Sequence, residues 1–185
     1  VSLRYEGRSG RTFSYVYNGD PNNAAGLFGE PVNQALFFVP RDRSQVSMTD
    51  AGWNALNTFI TNDPVLSQYR GKIVDRNAGR EPWVNELDLL VAQDIPTGVG
   101  RVQLTVNLFN VLNLLNPAWG HIQYVTRPSQ GDFSGQSRYG LAKFNGFESD
   151  GRMKLDFQTP QGGTIFVKDN LLARWQMQIG VRYTF

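Results

Sequence analysis

The run Leu171 to Phe185 constrains this chain more than any other stretch. Every odd position in it is apolar: Leu171, Ala173, Trp175, Met177, Ile179, Val181, Tyr183 and Phe185. From Arg174 onward the even positions are Arg174, Gln176, Gln178, Gly180, Arg182 and Thr184, and none is apolar. A period of two puts successive side chains on opposite faces of a strand. The spacing therefore predicts a strand over 171–185 with one greasy and one wet face. Strands of globular proteins usually run about five or six residues. This one is long enough to cross a bilayer, which a tilted strand does in about nine to eleven.

Three further stretches carry the same signal. Val1, Leu3 and Tyr5 alternate with Ser2, Arg4 and Glu6, up to a turn at Gly7-Arg8-Ser9-Gly10. From Trp83 to Ile95, Leu87, Leu89 and Val91 oppose Glu86, Asp88 and Asp94, with Leu90 and Ala92 blurring the pattern. From Arg101 to Asn110, Val102, Leu104, Val106 and Leu108 oppose Arg101, Gln103, Thr105 and Asn107. Pro96-Thr97-Gly98-Val99-Gly100 reads as the tight turn between the last two.

The segments between are long. Arg11 to Pro82 holds two short extended pieces, Thr12–Tyr17 and Ala35–Val39, and a turn-rich stretch at Asn18-Gly19-Asp20-Pro21-Asn22-Asn23. It also holds a helix over Asp50–Thr61, capped by Thr49, with Trp53, Leu56, Phe59 and Ile60 on one face. Leu112 to Asn170 reads as loop with one hairpin, Tyr139–Phe147 with Gly151–Gln158. Long connections on one side and a short one on the other are the rhythm of an outer-membrane barrel. In that arrangement the first and third strands run outward and the second and fourth inward. Phe185 then reaches the periplasmic rim.

Composition narrows the field. Of 185 residues only 18% are charged, against about a quarter in an average soluble domain. The net charge is +2 and the basic residues are scattered, so nothing points to nucleic acid. There is no cysteine, which removes disulfides, thiolate metal sites and a cysteine nucleophile. Mean hydropathy is -0.36 and no apolar run approaches the length of a membrane helix, but alternating barrel strands leave no such mark. The opening on Val1-Ser2-Leu3 already alternates, and the expectation is a piece of a longer protein.

Four stretches, in order, carry a resemblance. They are Ser9-Gly10-Arg11-Thr12-Phe13-Ser14-Tyr15 with Gly19-Asp20, and Asn33-Gln34-Ala35-Leu36-Phe37-Phe38-Val39-Pro40. The third comprises Arg70-Gly71, Arg76-Asn77, Pro82-Trp83, Asp88 and Gln93-Asp94. The fourth is Asn107-Leu108-Phe109-Asn110-Val111-Leu112-Asn113-Leu114-Leu115-Asn116 with Trp119-Gly120. Together they resemble the C-terminal part of a TonB-dependent outer-membrane receptor of the Oar-like group of Gram-negative bacteria. Thr12 and Gln34 depart from the Pro and Asp common there, and the loop after Asp20 lacks a second Asp.

The resemblance implies an all-β fold: an antiparallel transmembrane β-barrel segment of about four strands, an incomplete barrel, with long extracellular loops and a short helix in the first. Residues 1–185 are then the C-terminal part of a barrel domain whose plug and earlier strands are absent. The implied parent takes up a bulky ligand with energy from the TonB complex, reached through the missing N-terminal part. Its other partners are the rest of its own barrel and plug, outer-membrane lipid and the barrel assembly machinery. No cofactor is implied.

Residue roles follow. Gln178, Gly180, Tyr183 and Phe185 fit the C-terminal signal that the assembly machinery reads by β-augmentation. Val102, Leu104, Val106, Leu108, Leu171, Ala173, Trp175, Met177, Ile179 and Val181 would face lipid. Arg101, Gln103, Thr105, Asn107, Arg174, Gln176 and Arg182 would face the lumen. Trp83, Trp175, Tyr183 and Phe185 suit interfacial girdles, whereas Trp53 and Trp119 suit loop packing. Asp20, Asn22 and Asn23 supply oxygen ligands but only one carboxylate, and read as a turn. An enzyme would need polar groups converging on His121, the only histidine, or on Glu86 and Asp88. The rival from another class is a secreted, soluble β-sandwich or jelly-roll binding module, with the apolar rows buried against a second sheet and Phe185 in the core.

Overall fold

Alternation becomes strand wherever a partner with the same alternation is available to complete the ladder. The computed structural model describes residues 1–18, 35–125 and 137–185. In chain order it contains β1 (Ser2–Arg8), β2 (Thr12–Asn18), β3 (Phe38–Val39), β4 (Val46–Ser47), α1 (Asp50–Asn62), β5 (Lys72–Ile73) and β6 (Gly79–Arg80). Then come β7 (Val84–Thr97), β8 (Gly100–Phe109), α2 (Val111–Leu115), β9 (Gln123–Val125), β10 (Ser137–Phe147), β11 (Met153–Asp156), β12 (Phe166–Lys168) and β13 (Gln176–Thr184). The fold is mostly β. Asp20, Asn22, Asn23 and the Asn33-Gln34 pair lie outside the described residues.

The chain forms two compact units. One comprises 1–10, 82–124 and 168–185; the other comprises 11–81 and 125–167. The first is built on an antiparallel sheet in the order β1-β7-β8-β13. Gly98 and Val99 alone turn β7 into β8, with Thr97 opposite Gly100, so the turn is tighter than the five residues expected. β1 continues through Gly7 and Arg8, which the sequence places in a turn.

The last strand is shorter than its alternation. β13 begins at Gln176, and Leu171, Ala173 and Arg174 lie in a turn before it. Asp169 is the cause: its Oδ1 accepts from the amides of Leu171 and Leu172, and its carbonyl accepts from Ala173. A short acidic side chain bonding the backbone just ahead competes with the ladder and wins here. Ala173 is fully buried rather than facing outward, and neither Leu171 nor Arg174 belongs to a strand face. Trp175 sits immediately before the strand. Nine residues remain in β13.

The second unit is where the sequence reading saw mostly loop. Its sheet runs β4-β11-β10-β2-β6 and is mixed. β10 and β11 form the expected antiparallel hairpin, but β2 lies parallel to β10 and β4 parallel to β11. A parallel pair needs a long crossover, and more than a hundred residues separate β2 from β10. β2 lies between β10 and β6 and is covered on both faces. Phe13, Tyr15 and Tyr17 enter a core with Phe37, Leu56, Ile60, Leu141, Leu155 and Phe157. Thr49 caps α1, accepting from the Gly52 amide at 3.1 Å; Leu56 and Ile60 are buried, with Trp53 and Phe59 packed beside them.

Several residues that carried the resemblance act as ties in this unit. The Arg70 guanidinium donates to the carbonyls of Pro40 and Asn57 and to Thr61 Oγ1. The Asn77 amide donates to Ser14 Oγ at 2.8 Å. Tyr15 donates its hydroxyl to Asp63 Oδ2 at 2.7 Å, and Asp63 Oδ1 accepts the amides of Val65 and Leu66.

Candidate functional site

The four-stranded sheet places its side chains in register across all four strands. On one face Met177, Ile179, Val181 and Tyr183 stand opposite Leu108, Val106, Leu104 and Val102. The next strand continues the rows with Leu89, Val91, Gln93 and Ile95. Leu3 and Tyr5 extend them opposite Leu89 and Leu87. Gln93 is the one polar side chain within the rows from Leu87 to Ile95. A one-residue slip in any ladder would send that strand's apolar set to the other face, so this agreement specifies the register strongly.

The face is open. Ile179 is 60% exposed, Val181 71% and Phe185 98%. The contrast with the second unit is sharp, since that unit gathers its large apolar side chains into a core. Val102, Leu104, Val106, Leu108, Met177, Ile179 and Val181 thus share one uncovered apolar surface, as their alternation implies.

The opposite face is polar. Arg101, Gln103, Thr105 and Asn107 stand opposite Thr184, Arg182, Gly180 and Gln178, and Gln176 stands opposite Phe109. Arg4 bridges Asp88 at 3.3 Å and Glu6 at 2.5 Å; Arg8 reaches Glu6 at 3.0 Å. These cations offset the repulsion between Glu6 and Glu86, which face each other across the ladder. Further along, Gln103 donates to Asp94 Oδ1 at 2.9 Å, and Arg101 approaches Asp94 at 3.6 Å. Exposed pairs of this kind stabilise little singly, but they fix which face is wet.

Aromatic residues collect at both ends. By the β7–β8 turn, Tyr183 donates its hydroxyl to the Val99 carbonyl at 3.2 Å, and its ring lies 6.1 Å from that of Phe185. At the other end stand Tyr5, Trp83, Trp119 and Trp175, all exposed. Trp53 packs against the core of the second unit; Trp119 is exposed rather than buried in its loop.

The segment after β8 is a built corner that the sequence did not disclose. Asn110 is buried and adopts φ 52°, ψ 53°, a left-handed conformation that Asn tolerates better than most residues. Its amide donates to Asp88 Oδ1 at 3.0 Å and its Nδ2 to the Gly120 carbonyl at 2.8 Å. Gly120 has φ 61°, and a Cβ there would fall 2.0 Å from Asn110 Oδ1. Asn113 Nδ2 meets the carbonyls of Pro117 and Trp119, while its Oδ1 accepts the Trp175 amide. The signal was present as paired asparagines ahead of Trp119-Gly120, but only the folded corner shows what they hold.

Asp88 is therefore engaged by Arg4 and by the Asn110 amide. His121 Nε2 lies 2.5 Å from the Pro117 carbonyl and 2.6 Å from Lys168 Nζ. Among the described residues no three His, Cys, Asp or Glu side chains gather as a metal site would need. No helix of the described residues is long and apolar enough to cross a membrane, which leaves strands untested. Compared with protein-family models, curated proteins and solved structures, the chain matches none.

Proposed function

We propose that this chain is the C-terminal part of an outer-membrane β-barrel belonging to a TonB-dependent receptor. In this reading β1, β7, β8 and β13 are wall strands. Their apolar face meets lipid and their polar face lines the lumen or meets the plug. The chain has no catalytic role of its own. Its C-terminal Gln178, Gly180, Tyr183 and Phe185 present the assembly signal, and the parent receptor imports a bulky ligand with energy from the inner membrane.

The observation that carries this reading is the open apolar face held in register over four strands. From Leu87 to Ile95 the apolar row of β7 advances about 27 Å at about 3.4 Å per residue. At a tilt of about 40° that projects to roughly 21 Å, against an apolar band of about 25 Å on membrane barrels. Aromatic side chains flank the band at both ends, as girdles do. A soluble sandwich would bury such rows against a second sheet.

The absence of native cysteine makes the test direct. Single cysteines at positions 102–107 and 177–182 carry a polarity-sensitive fluorophore, with the full chain folded in lipid vesicles. Blue-shifted emission at 102, 104, 106, 177, 179 and 181 and water-like emission at 103, 105, 107, 178, 180 and 182 is the expected result. A chain that folds cooperatively as a monomer in detergent-free buffer, with its apolar-row positions equally protected there, would assign it instead to the soluble binding modules.

A further inference from the structure

At the end of the sheet away from the β7–β8 turn, the first unit contains a cleft of about 460 Å³. This lies within the usual range of small-molecule sites. Tyr5, Trp83 and Trp119 supply its aromatic walls, and Asn85, His121 and Gln123 its polar groups. We propose that this cleft binds a pyranose ring of a saccharide, stacked on an indole face and hydrogen-bonded to the Asn85 amide. The proposal does not depend on the barrel reading, because contacts within the first unit fix every group it uses, whatever the apolar face meets.

The amide is the centre of the argument. Trp83 Nε1 donates to Asn85 Oδ1 at 3.0 Å, and the Tyr5 hydroxyl donates to the same oxygen at 2.8 Å. An indole N–H can only donate, so the atom facing it must be the amide oxygen. Two donors fill that oxygen's two lone pairs. The Asn85 Nδ2 is left with two N–H groups of fixed direction and no bond among the described residues. A half-buried amide oriented in this way presents a ready donor pair to a ligand hydroxyl.

The aromatic groups are held with their faces free. Trp83 is 59% exposed and Trp119 53%, and neither indole stacks on another ring among the described residues. The Nε1 bond to Asn85 fixes the Trp83 ring. The backbone of Trp119 is fixed by its amide donating to the Asn116 carbonyl and by Asn113 Nδ2 on its own carbonyl. Tyr5 lies across Gly7, where a Cβ would come within 2.9 Å of the Tyr5 hydroxyl. The walls are therefore set before any ligand arrives, which lowers the ordering cost of binding.

Charge and shape select the ligand class. Among the described residues no carboxylate, arginine or lysine lines the cleft, and the one cation close to it, Lys168, lies behind His121 with its Nζ 2.6 Å from Nε2, so a strongly charged ligand meets no direct countercharge there. An extended peptide adding to the edge of β1 would bind through main-chain groups rather than through the Asn85 amide and the indole faces. A pyranose offers an apolar C–H face to an indole and hydroxyls at its rim to an amide, which matches a flat aromatic wall beside a directed donor pair. The same ring chemistry is available from a free oligosaccharide and from the head of a surface glycolipid.

The test uses the full chain folded in detergent micelles or lipid vesicles. Maltohexaose, cellohexaose and chitohexaose are titrated separately, with saturation-transfer NMR and tryptophan fluorescence as readouts. Vesicles with and without lipopolysaccharide form the second arm. Asn85→Asp keeps the acceptor for Tyr5 and Trp83 and removes both amide donors. Trp119→Ala removes one exposed wall, and Trp175→Ala removes an exposed indole outside the cleft. The expected result is saturable binding, weakened about tenfold by each of the first two changes and unaltered by the third. Binding of a soluble oligosaccharide identifies a free ligand; a response only to lipopolysaccharide identifies a glycolipid. No response to any probe, or equal response from Asn85→Asp, Trp119→Ala and the unaltered chain, overturns the proposal. A chain that proves soluble yet binds oligosaccharide sustains it while removing the barrel reading.

Discussion

Thr105 and Gly180 face each other across the ladder between β8 and β13, and Thr105 Oγ1 donates to the Gly180 carbonyl at 3.2 Å. A Cβ on residue 180 would lie 2.6 Å from that same oxygen. Gly180 thus has a local packing reason beside the recognition role proposed for it. Thr105 cannot swing clear cheaply, because its β-branched χ1 is stiff and its hydroxyl is engaged.

Gly180→Ala is therefore expected to cost about 1–3 kcal/mol of sheet stability, the range for overpacking. Thr105→Ala in the same chain removes the obstructing oxygen and should restore most of that loss. Denaturant unfolding of the two single variants and the double variant measures the coupling. Additive single effects would show that the contact does not hold in solution.

Ile179 and Gln178 are chain neighbours on opposite faces. If the odd face meets lipid, Ile179→Lys places a charge near mid-membrane and costs about 2–4 kcal/mol, while Gln178→Lys on the polar face costs little. Reversible folding into vesicles, followed by denaturant titration, reads both. Equal costs at the two positions would contradict a membrane-facing assignment for the odd row.

The second unit should be alkali-sensitive. Burial pushes the Tyr17 and Tyr139 phenols up to about 12, and burial, then the Asp63 carboxylate, pushes Tyr15 in the same direction. An unfolded tyrosine ionises near pH 10. The neutral phenols therefore stabilise the fold fully below about pH 10, and this contribution is lost as the pH rises through the folded value of about 12. For Tyr17 and Tyr139 the loss is roughly 2–3 kcal/mol each. Tyrosinate absorbance and near-UV circular dichroism should change together in one cooperative step in that window. Early ionisation with the dichroism intact would show that these phenols are accessible.

The sheet was readable because each of its strands repeats one simple rule over many residues. Val102 to Leu108 and Met177 to Tyr183 alternate strictly, and the ladder pairs like with like. The helix at Asp50–Asn62 was readable from Thr49 and the spacing of Leu56, Phe59 and Ile60. The second unit was not readable as a unit. Its strands β3, β4, β5 and β6 are two residues each, too short for any period to register. The alternation from Leu171 to Trp175 misled for a related reason: periodicity records which face a residue would take in a strand, not whether Asp169 will turn the chain first.

The cleft of the first unit was hidden altogether. Tyr5, Trp83, Asn85 and Trp119 come from three separate stretches, and nothing in their spacing links them. Trp83 was visible as a girdle residue and Trp119 as a loop anchor, but the amide that joins Tyr5 to Trp83 appears only once β1 lies beside β7.

The sequence by itself determined the strand periodicity, and with it which side chains share a face, because alternation is a local property of an extended chain. It also settled the absence of disulfides, since there is no cysteine. Only the tertiary structure decided that 11–81 and 125–167 build one core, that Ala173 is buried and Val181 open, and that one asparagine fixes the walls of a cleft. Those outcomes depend on contacts between residues far apart in the chain, and such contacts form only when the competing local and long-range bonds have been weighed together in the folded state.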